Sequence, residues 1–333
     1  MSTQREIWIA CGGTGGHFMP GVVLGRALEA KGHVVRYWGE GKKIEEDLCA
    51  AQKIQLLRPP LGSRGKRWLK LQGMMSALAR HRKPDLVLLC GGFSSLALGS
   101  WAILHRVKIH LFEQNTVPGR VNRLLSFFAS SAILTFPLCK TTLHCPQKLL
   151  GNPVRQPLAR AAVAEWDILI LGGSQGASAL NQRLPKILDA SFKVLHICGP
   201  GRLAEAREAW KGRESSVELR ESDPNIPACL AKSRWVISRS GATSLSEMAA
   251  AGSAVICVPF PFAKDDHQRF NAEELEKIGA ALILGENEFE SKMKWLNDIL
   301  RDESARSKCA KGILQSGLAD VGGQKALLEL KLN

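Results

Sequence analysis

The sequence predicts an α/β protein of two nucleotide-type domains, each built on a parallel sheet and facing the other across a cleft. Two glycine loops carry the prediction. A short apolar run ends at Gly12-Gly13-Thr14-Gly15-Gly16-His17, and the same grammar returns where Asp167-Ile168-Leu169-Ile170-Leu171 meets Gly172-Gly173-Ser174-Gln175-Gly176-Ala177. In each, a buried strand stops at glycines that let bare backbone N–H groups approach an anion, with a helix behind. Between them, strand-like runs and amphipathic stretches alternate, the signature of βαβ units. The length of 333 residues suits two domains of about 150 each.

In chain order, Ile7 to Cys11 reads as the first strand and Pro20 to Lys31 as its helix, closed by Gly32. Val34 to Trp38 is a second strand. Pro84 to Cys90 opens another that ends at Gly91-Gly92-Phe93-Ser94-Ser95, and Ile109 to Phe112 is followed by Glu113-Gln114-Asn115. Gly151-Asn152-Pro153-Val154-Arg155-Gln156-Pro157 has the Pro and Gly of a linker, placing the domains at 1–153 and 154–319. The second half repeats the pattern with strands at 167–171, 193–198, 234–238 and 254–258. The last helical stretch, Gln324 to Leu332 within 320–333, is a candidate to cross back onto the first domain.

Hydrophobic residues make up 45% of the chain, as in a soluble globular protein. The most apolar stretch, Leu124 to Phe136, carries three serines and falls short of the ~20 residues of a spanning helix. Met1 to Glu6 is polar and leads into a strand, which reads as no signal peptide. Nine cysteines without a CxxC pair read as reduced, buried thiols of a cytosolic protein. The net charge of +14 favours anionic partners, namely a nucleotide-sugar phosphate or an anionic membrane face. Nucleic acid fits worst: no recognition motif accompanies the charge, and one tyrosine is available for stacking. Much of the charge also reads as an ordinary solvated surface.

The first loop is not a dinucleotide fingerprint, because Phe18 stands where the third glycine belongs. Nor is either loop a P-loop, since no Gly-Lys-Ser/Thr follows at the required spacing. What remains is a phosphate-cradling turn with His17 at the helix start, either a helix-terminal histidine or a general base.

These segments together resemble the MurG family of UDP-N-acetylglucosamine transferases. The resemblance rests on Gly12 to His17, Phe112-Glu113-Gln114-Asn115-Thr116-Val117-Pro118-Gly119, Gly151 to Arg155 and Gly172 to Ala177. Arg239-Ser240-Gly241-Ala242, Ser246-Glu247, Asp266-His267-Gln268 and Asn271-Ala272 extend it over nearly the whole chain in the expected order. It implies a GT-B fold of two Rossmann-like domains and transfer of GlcNAc from UDP-GlcNAc to lipid I, forming lipid II. The N-terminal half would hold the undecaprenyl-diphosphate acceptor, with its diphosphate near Gly13, Thr14, Gly15 and Gly16. The C-terminal half would hold the donor. Ser174, Gln175 and Gly176 would cradle its diphosphate, with Arg155 near the nucleotide. Glu247 would accept from the ribose hydroxyls, Gln268 beside His267 would reach the transferred sugar, and Asn115 would lie near the reacting sugars.

Each assignment has an ordinary structural alternative. Ser244-x-x-Glu247 also reads as a capping box. Asp265 and Asp266 read as acids favouring a helix N-terminus, and Asn115 before Pro118-Gly119 as a turn residue. One departure is Phe112, where the family commonly has His; no role of that histidine carries over.

The implied reaction is attack by the muramyl 4-hydroxyl on the anomeric carbon with inversion, displacing UDP. His17 is the candidate base; backbone donors at 174–176, a helix N-terminus and Arg155 would stabilise the leaving diphosphate. No Asp-x-Asp appears where a diphosphate-bound cation would need it, so no metal or other cofactor is expected. Trp68, Leu71, Met75 and Leu78 fall at helical spacing, flanked by Arg64, Lys66, Arg67, Lys70, Arg80, Arg82 and Lys83. From the pattern alone this is a surface helix burying its stripe. A membrane-anchored acceptor makes it a candidate for docking on the cytoplasmic face of an anionic inner membrane. Two rivals share the architecture: a non-hydrolysing UDP-sugar 2-epimerase, which needs no lipid acceptor, and a non-catalytic binder, which would hold UDP and release none.

Overall fold

A computed structural model of the chain describes residues 4–13, 15–57, 67–173 and 176–330. They form two compact units: one of residues up to Arg155 together with those from Asp320 onward, the other Gln156–Ala319.

The N-terminal unit runs β1 (Glu6–Ala10), α1 (Gly15–Ala30), β2 (Val34–Trp38), α2 (Lys43–Gln52), β3 (Leu56–Leu57), α3 (Arg67–Leu78) and β4 (Leu86–Leu89). It continues through α4 (Gly92–Leu104), β5 (Lys108–Glu113), α5 (Arg120–Leu125), β6 (Ser131–Leu134), β7 (Gln147–Leu149) and β8 (Asn152–Val154). The C-terminal unit has β9 (Trp166–Leu171), α6 (Ser178–Ile187), β10 (Val194–Ile197), α7 (Leu203–Ala209), β11 (Val217–Arg220), α8 (Ile226–Ala231) and β12 (Ser233–Ser238). Then come α9 (Ala242–Ala250), β13 (Ala254–Cys257), α10 (His267–Lys277), β14 (Leu282–Ile283), α11 (Met293–Arg301), α12 (Glu303–Gln315), β15 (Ala319–Val321) and α13 (Gln324–Glu329).

Both large sheets are parallel, ordered β3-β2-β1-β4-β5-β6-β7 and β11-β10-β9-β12-β13-β14. Their central strands are continuous apolar runs because both faces are covered. Side chains alternate across a strand. Thus Trp8, Ala10, Val87 and Leu89 join one core layer, while Ile7, Ile9, Leu86 and Leu88 join the other. Each such fully buried Val, Leu or Ile side chain contributes about 1.5–3 kcal/mol. All nine cysteines are free thiols, eight of them buried. Among the described residues, no helix is long and apolar enough to cross a membrane.

Two helices differ from expectation. α1 begins at Gly15, five residues before Pro20, which lies inside the helix. Pro20 lacks the N–H that an uninterrupted helix would donate to Gly16. In α3, Leu78 and Met74 are buried and Met75 packs against the same core as Trp101 and Leu111. The described part of that stripe is therefore core, and its assignment to membrane contact is corrected. The side chains of Trp68 and Leu71, with Arg64 and Lys66, lie outside the described residues. After β15 pairs with β8, α13 packs Ala326, Leu327 and Leu330 into the core beside Phe18, Leu24 and Leu28. Asp320 caps it, accepting from the N–H groups of Lys325 and Ala326 at 2.9 Å each.

Two buried histidines are held neutral. His196 receives the Trp210 Nε1–H on Nδ1 at 2.9 Å, its Nε2 meets Asn181 Oδ1 at 3.0 Å, and burial pushes its pKa down to about 3. Burial, with Lys108 nearby, lowers His110 to about 4. A histidine whose folded pKa is depressed binds its proton in the unfolded chain first, so stability falls as pH drops below 6.5 toward those values. Each group contributes up to about 1.4 kcal/mol per pH unit. Thermal midpoints measured at pH 7 and 4.5 are expected to decline on acidification, and to decline less in His196→Gln and His110→Gln.

Candidate functional site

A parallel sheet collects its carboxyl ends at one edge. A crevice opens there where the chain leaves neighbouring strands in opposite directions. That point lies between β1 and β4 in the N-terminal unit and between β9 and β12 in the C-terminal unit. Both glycine loops therefore leave a strand at the switch point of their own sheet.

In the N-terminal unit the loop is shaped from below by Glu45, which is 1% exposed. Its carboxylate accepts from the N–H groups of Gly13 at 2.7 Å, Gly41 at 2.8 Å, Glu40 at 3.0 Å and Lys42 at 3.3 Å. A Cβ on Gly12 would lie 2.8 Å from Glu45 Oε1 and 2.7 Å from the Gly39 Cα, so only glycine fits. The Gly12 N–H donates to Ser94 Oγ at 3.2 Å. The first two N–H groups of the loop are thus spent within the protein, and Glu40 sets a second carboxylate beside Gly13, paired with Lys42 at 2.8 Å. The helix that follows, α1, begins at Gly15 with no acidic residue in its first turn. Thr14 lies outside the described residues.

His17 stands in the first turn of α1, facing the exit of β4. A Cβ on Gly91 would fall 3.1 Å from His17 Nε2, and one on Gly92 would fall 3.6 Å from His17 Nδ1. Both glycines have positive φ, 99° and 78°. This seat for the imidazole escaped the sequence reading, in which Gly91-Gly92 was only a strand end. The β5 exit joins the same edge. Gln114 Nε2 donates to the Cys90 carbonyl at 3.2 Å. Buried Glu113 accepts from the N–H groups of Asn115 at 3.0 Å and Gly119 at 2.9 Å, and from Asn122 Nδ2 at 2.8 Å. Burial raises the Glu113 pKa and those donors oppose the rise. Asn115 is half-buried at the top of this turn, while Phe112 is core beside Phe18 and Cys90.

In the C-terminal unit, Gly173 and Gly176 have positive φ, 77° and 70°, and Gly176 N–H donates to Gly173 O at 3.0 Å. Gly176 therefore supplies shape rather than an open amide. Ser174 and Gln175 lie outside the described residues. Across the switch point, Arg239 is structural: its guanidinium donates to Val258 O at 3.1 Å, pairs with Glu286 and covers the Phe260 ring. Ser240 Oγ donates to Gln268 O at 2.7 Å, and Asn271 Nδ2 donates to Ser240 O at 3.1 Å. Gln268 Oε1 accepts from Phe260 N–H at 3.0 Å, which assigns the other side of the amide as the NH2 donor. His267 Nδ1 meets Lys264 O at 2.7 Å, leaving Nε2 as the acceptor in the neutral ring.

One structural alternative fails here and another holds. α9 starts at Ala242 with Gly241 as its N-cap, so Ser244 is already inside the helix and makes no capping box with Glu247. Asp265 and Asp266 do stand at the N-terminus of α10, Asp266 as its N-cap residue, where their charge suits the helix dipole; neither caps through its side chain, and both are left-handed, with φ of 54° and 56°. Two strained residues in a row mark a backbone held in the one path that presents His267 and Gln268 at the head of α10. Arg155 ends the N-terminal unit just past β8, half-buried. Among the described residues, no group of three or more acidic, His or Cys side chains could hold a metal ion.

The glycosyltransferase family 28 N-terminal domain matches residues 7–134, and the family's C-terminal domain matches 167–316. A UDP-N-acetylglucosamine–N-acetylmuramyl-(pentapeptide) pyrophosphoryl-undecaprenol N-acetylglucosamine transferase of Xylella fastidiosa is 32% identical, over 98% of this chain and 96% of its own. The crystal structure of Acinetobacter baumannii MurG superposes with a TM-score of 0.80 at 25% identity, covering 99% and 100% of the two chains. A UDP-N-acetylglucosamine 2-epimerase superposes at 0.68 with 15% identity, covering 99% and 96%, a likeness of fold alone.

The loop geometry is testable by itself. Glu45→Ala strips one buried acceptor from four N–H groups, and the N-terminal unit is expected to lose about 3 kcal/mol in urea unfolding. The C-terminal unit's transition should stay in place.

Proposed function

Since the chain belongs to the MurG transferases of glycosyltransferase family 28, we propose that its two crevices divide the substrates of that reaction. The protein moves GlcNAc from UDP-GlcNAc onto the undecaprenyl-pyrophosphoryl muramyl-pentapeptide lipid I, making lipid II for peptidoglycan. The acceptor belongs to the N-terminal crevice and the donor to the C-terminal one. The observation that carries this reading is the seat of His17, an imidazole fixed against Gly91 and Gly92 at the switch point of its sheet.

The chemistry is set by the requirements of inversion. The muramyl 4-hydroxyl attacks the anomeric carbon while His17 takes its proton, and the bond from that carbon to the UDP oxygen breaks. The acceptor diphosphate meets the N-terminus of α1 at Thr14, Gly15 and Gly16, with Asn115 beside the sugars. On the donor side, Glu247 accepts from the ribose and Gln268, with His267, holds the GlcNAc hydroxyls. The loop at Ser174 and Gln175, shaped by Gly176, the start of α6 and Arg155 stabilise the departing UDP. No step uses a metal.

An epimerase would consume UDP-GlcNAc alone. The test supplies UDP-GlcNAc with and without lipid I and monitors UDP. Release is expected only with the acceptor, and His17→Ala should lower kcat by about 10²–10⁴ with donor binding unchanged. Acceptor-independent loss of donor would contradict the reading.

Contact with the membrane is reassigned to α5 and its exit. Leu124, Phe127 and Phe128 are exposed by 55%, 62% and 57%, beside exposed Arg120 and half-exposed Arg123. Apolar wedges with basic neighbours suit the cytoplasmic face of an anionic leaflet. Phe127→Ser with Phe128→Ser is expected to reduce co-sedimentation with anionic vesicles several-fold; unchanged binding would place the contact elsewhere.

A further inference from the structure

Arg202 lies outside every segment on which the family resemblance rests, yet its side chain is packed onto the second glycine loop. It comes just after Gly201 at the exit of β10, on the same sheet edge as the loop itself. A Cβ on Gly176 would fall 2.7 Å from Arg202 Nε and closer still to Cδ. One terminal nitrogen donates to Ser178 Oγ, in the first residue of α6, at 2.6 Å and pairs with Glu205 at 3.0 Å. The guanidinium therefore spans the loop glycine and the helix start, held by a carboxylate on its own helix. With 35% of its side chain exposed, it is neither sunk in the core nor loose in solvent.

We propose that Arg202 is a further residue of the transferase reaction, a cation that binds the donor diphosphate and steadies it as UDP leaves. This rests on the assignment of UDP-GlcNAc to the C-terminal crevice. The loop gives shape, but the Gly176 N–H is turned inward onto Gly173, and a departing dianion needs more than one helix dipole. A guanidinium supplies paired charge-assisted donors that match phosphate oxygens. Glu205 sets the direction of the fork without removing its charge. A substituent on Gly176 would push the guanidinium away, so the absence of a side chain there serves the arginine as well as the turn.

The test compares UDP with uridine, which lacks the phosphates. Calorimetric titration of wild type, Arg202→Gln and Arg202→Lys is expected to show UDP affinity reduced about tenfold to a hundredfold in the glutamine variant. Uridine affinity should change less than about twofold, lysine should restore part of the loss, and added salt should weaken UDP binding less in the glutamine variant than in wild type. The kcat of the glutamine variant should fall as well. A thermal midpoint within about 3 °C of wild type shows that the unit is intact. Equal losses of UDP and uridine would mark a merely structural role, and unchanged UDP affinity would also overturn the proposal. Wild-type protein that binds neither ligand would overturn the donor-site reading, and this proposal with it.

Discussion

A single buried carboxylate decides what the first glycine loop can do. Glu45 is closed off from solvent and gathers four backbone N–H groups, Gly13 among them. Such a group is stable only while those donors stay in place, because removing a buried carboxylate from water is repaid by hydrogen bonds alone. The loop is thereby held in shape, and beside it Glu40 is paired with Lys42. What it offers a ligand is the start of α1 and the His17 imidazole backed by Gly91 and Gly92. The second loop has the same sequence grammar and an opposite setting. No carboxylate accepts from its described N–H groups, and the guanidinium of Arg202 rests on Gly176. Two loops alike in glycine content thus have different surroundings, which suits the proposed division of one for the attacking hydroxyl and one for the leaving diphosphate.

The sheets impose the second constraint. With β1 flanked by β2 and β4, and β9 by β10 and β12, both glycine loops and the Arg239 to Gly241 segment leave a strand at a carboxyl edge. Position along the chain then becomes position in space. Arg239 to Gly241, Phe260 and Gln268 are far apart in sequence but are hydrogen-bonded or stacked into one construction after β12 and β13. The strain at Asp265 and Asp266 is tolerated because this construction fixes both ends of the turn.

Much of this was legible in the residues. Strands with both faces buried are apolar without interruption, so β1, β4, β9, β12 and β13 could be read within a residue or two. Short edge strands such as β3, β7 and β14 could not, having few residues and little burial to mark them. β6 was hidden because its Ser131-Ala-Ile-Leu run continues the apolar residues of α5. Of the candidate site, the glycine loops and the 266–272 segment were visible as motifs. Glu45, Gly91–Gly92 and Arg202 were not, because their roles are set by contacts between distant segments rather than by spacing. The stripe through Met75 and Leu78 looked amphipathic, and it is. Periodicity alone cannot say whether an apolar face meets lipid or core, and here the described part meets the core.

The central claim is that each loop serves its own substrate. Amide hydrogen exchange, recorded during separate additions of UDP and of a short-chain lipid I analogue, addresses it directly. UDP is expected to slow exchange across 172–178 and 239–247 while leaving 12–17 unchanged, and the acceptor analogue is expected to do the reverse. Protection of 12–17 by UDP alone would contradict the account.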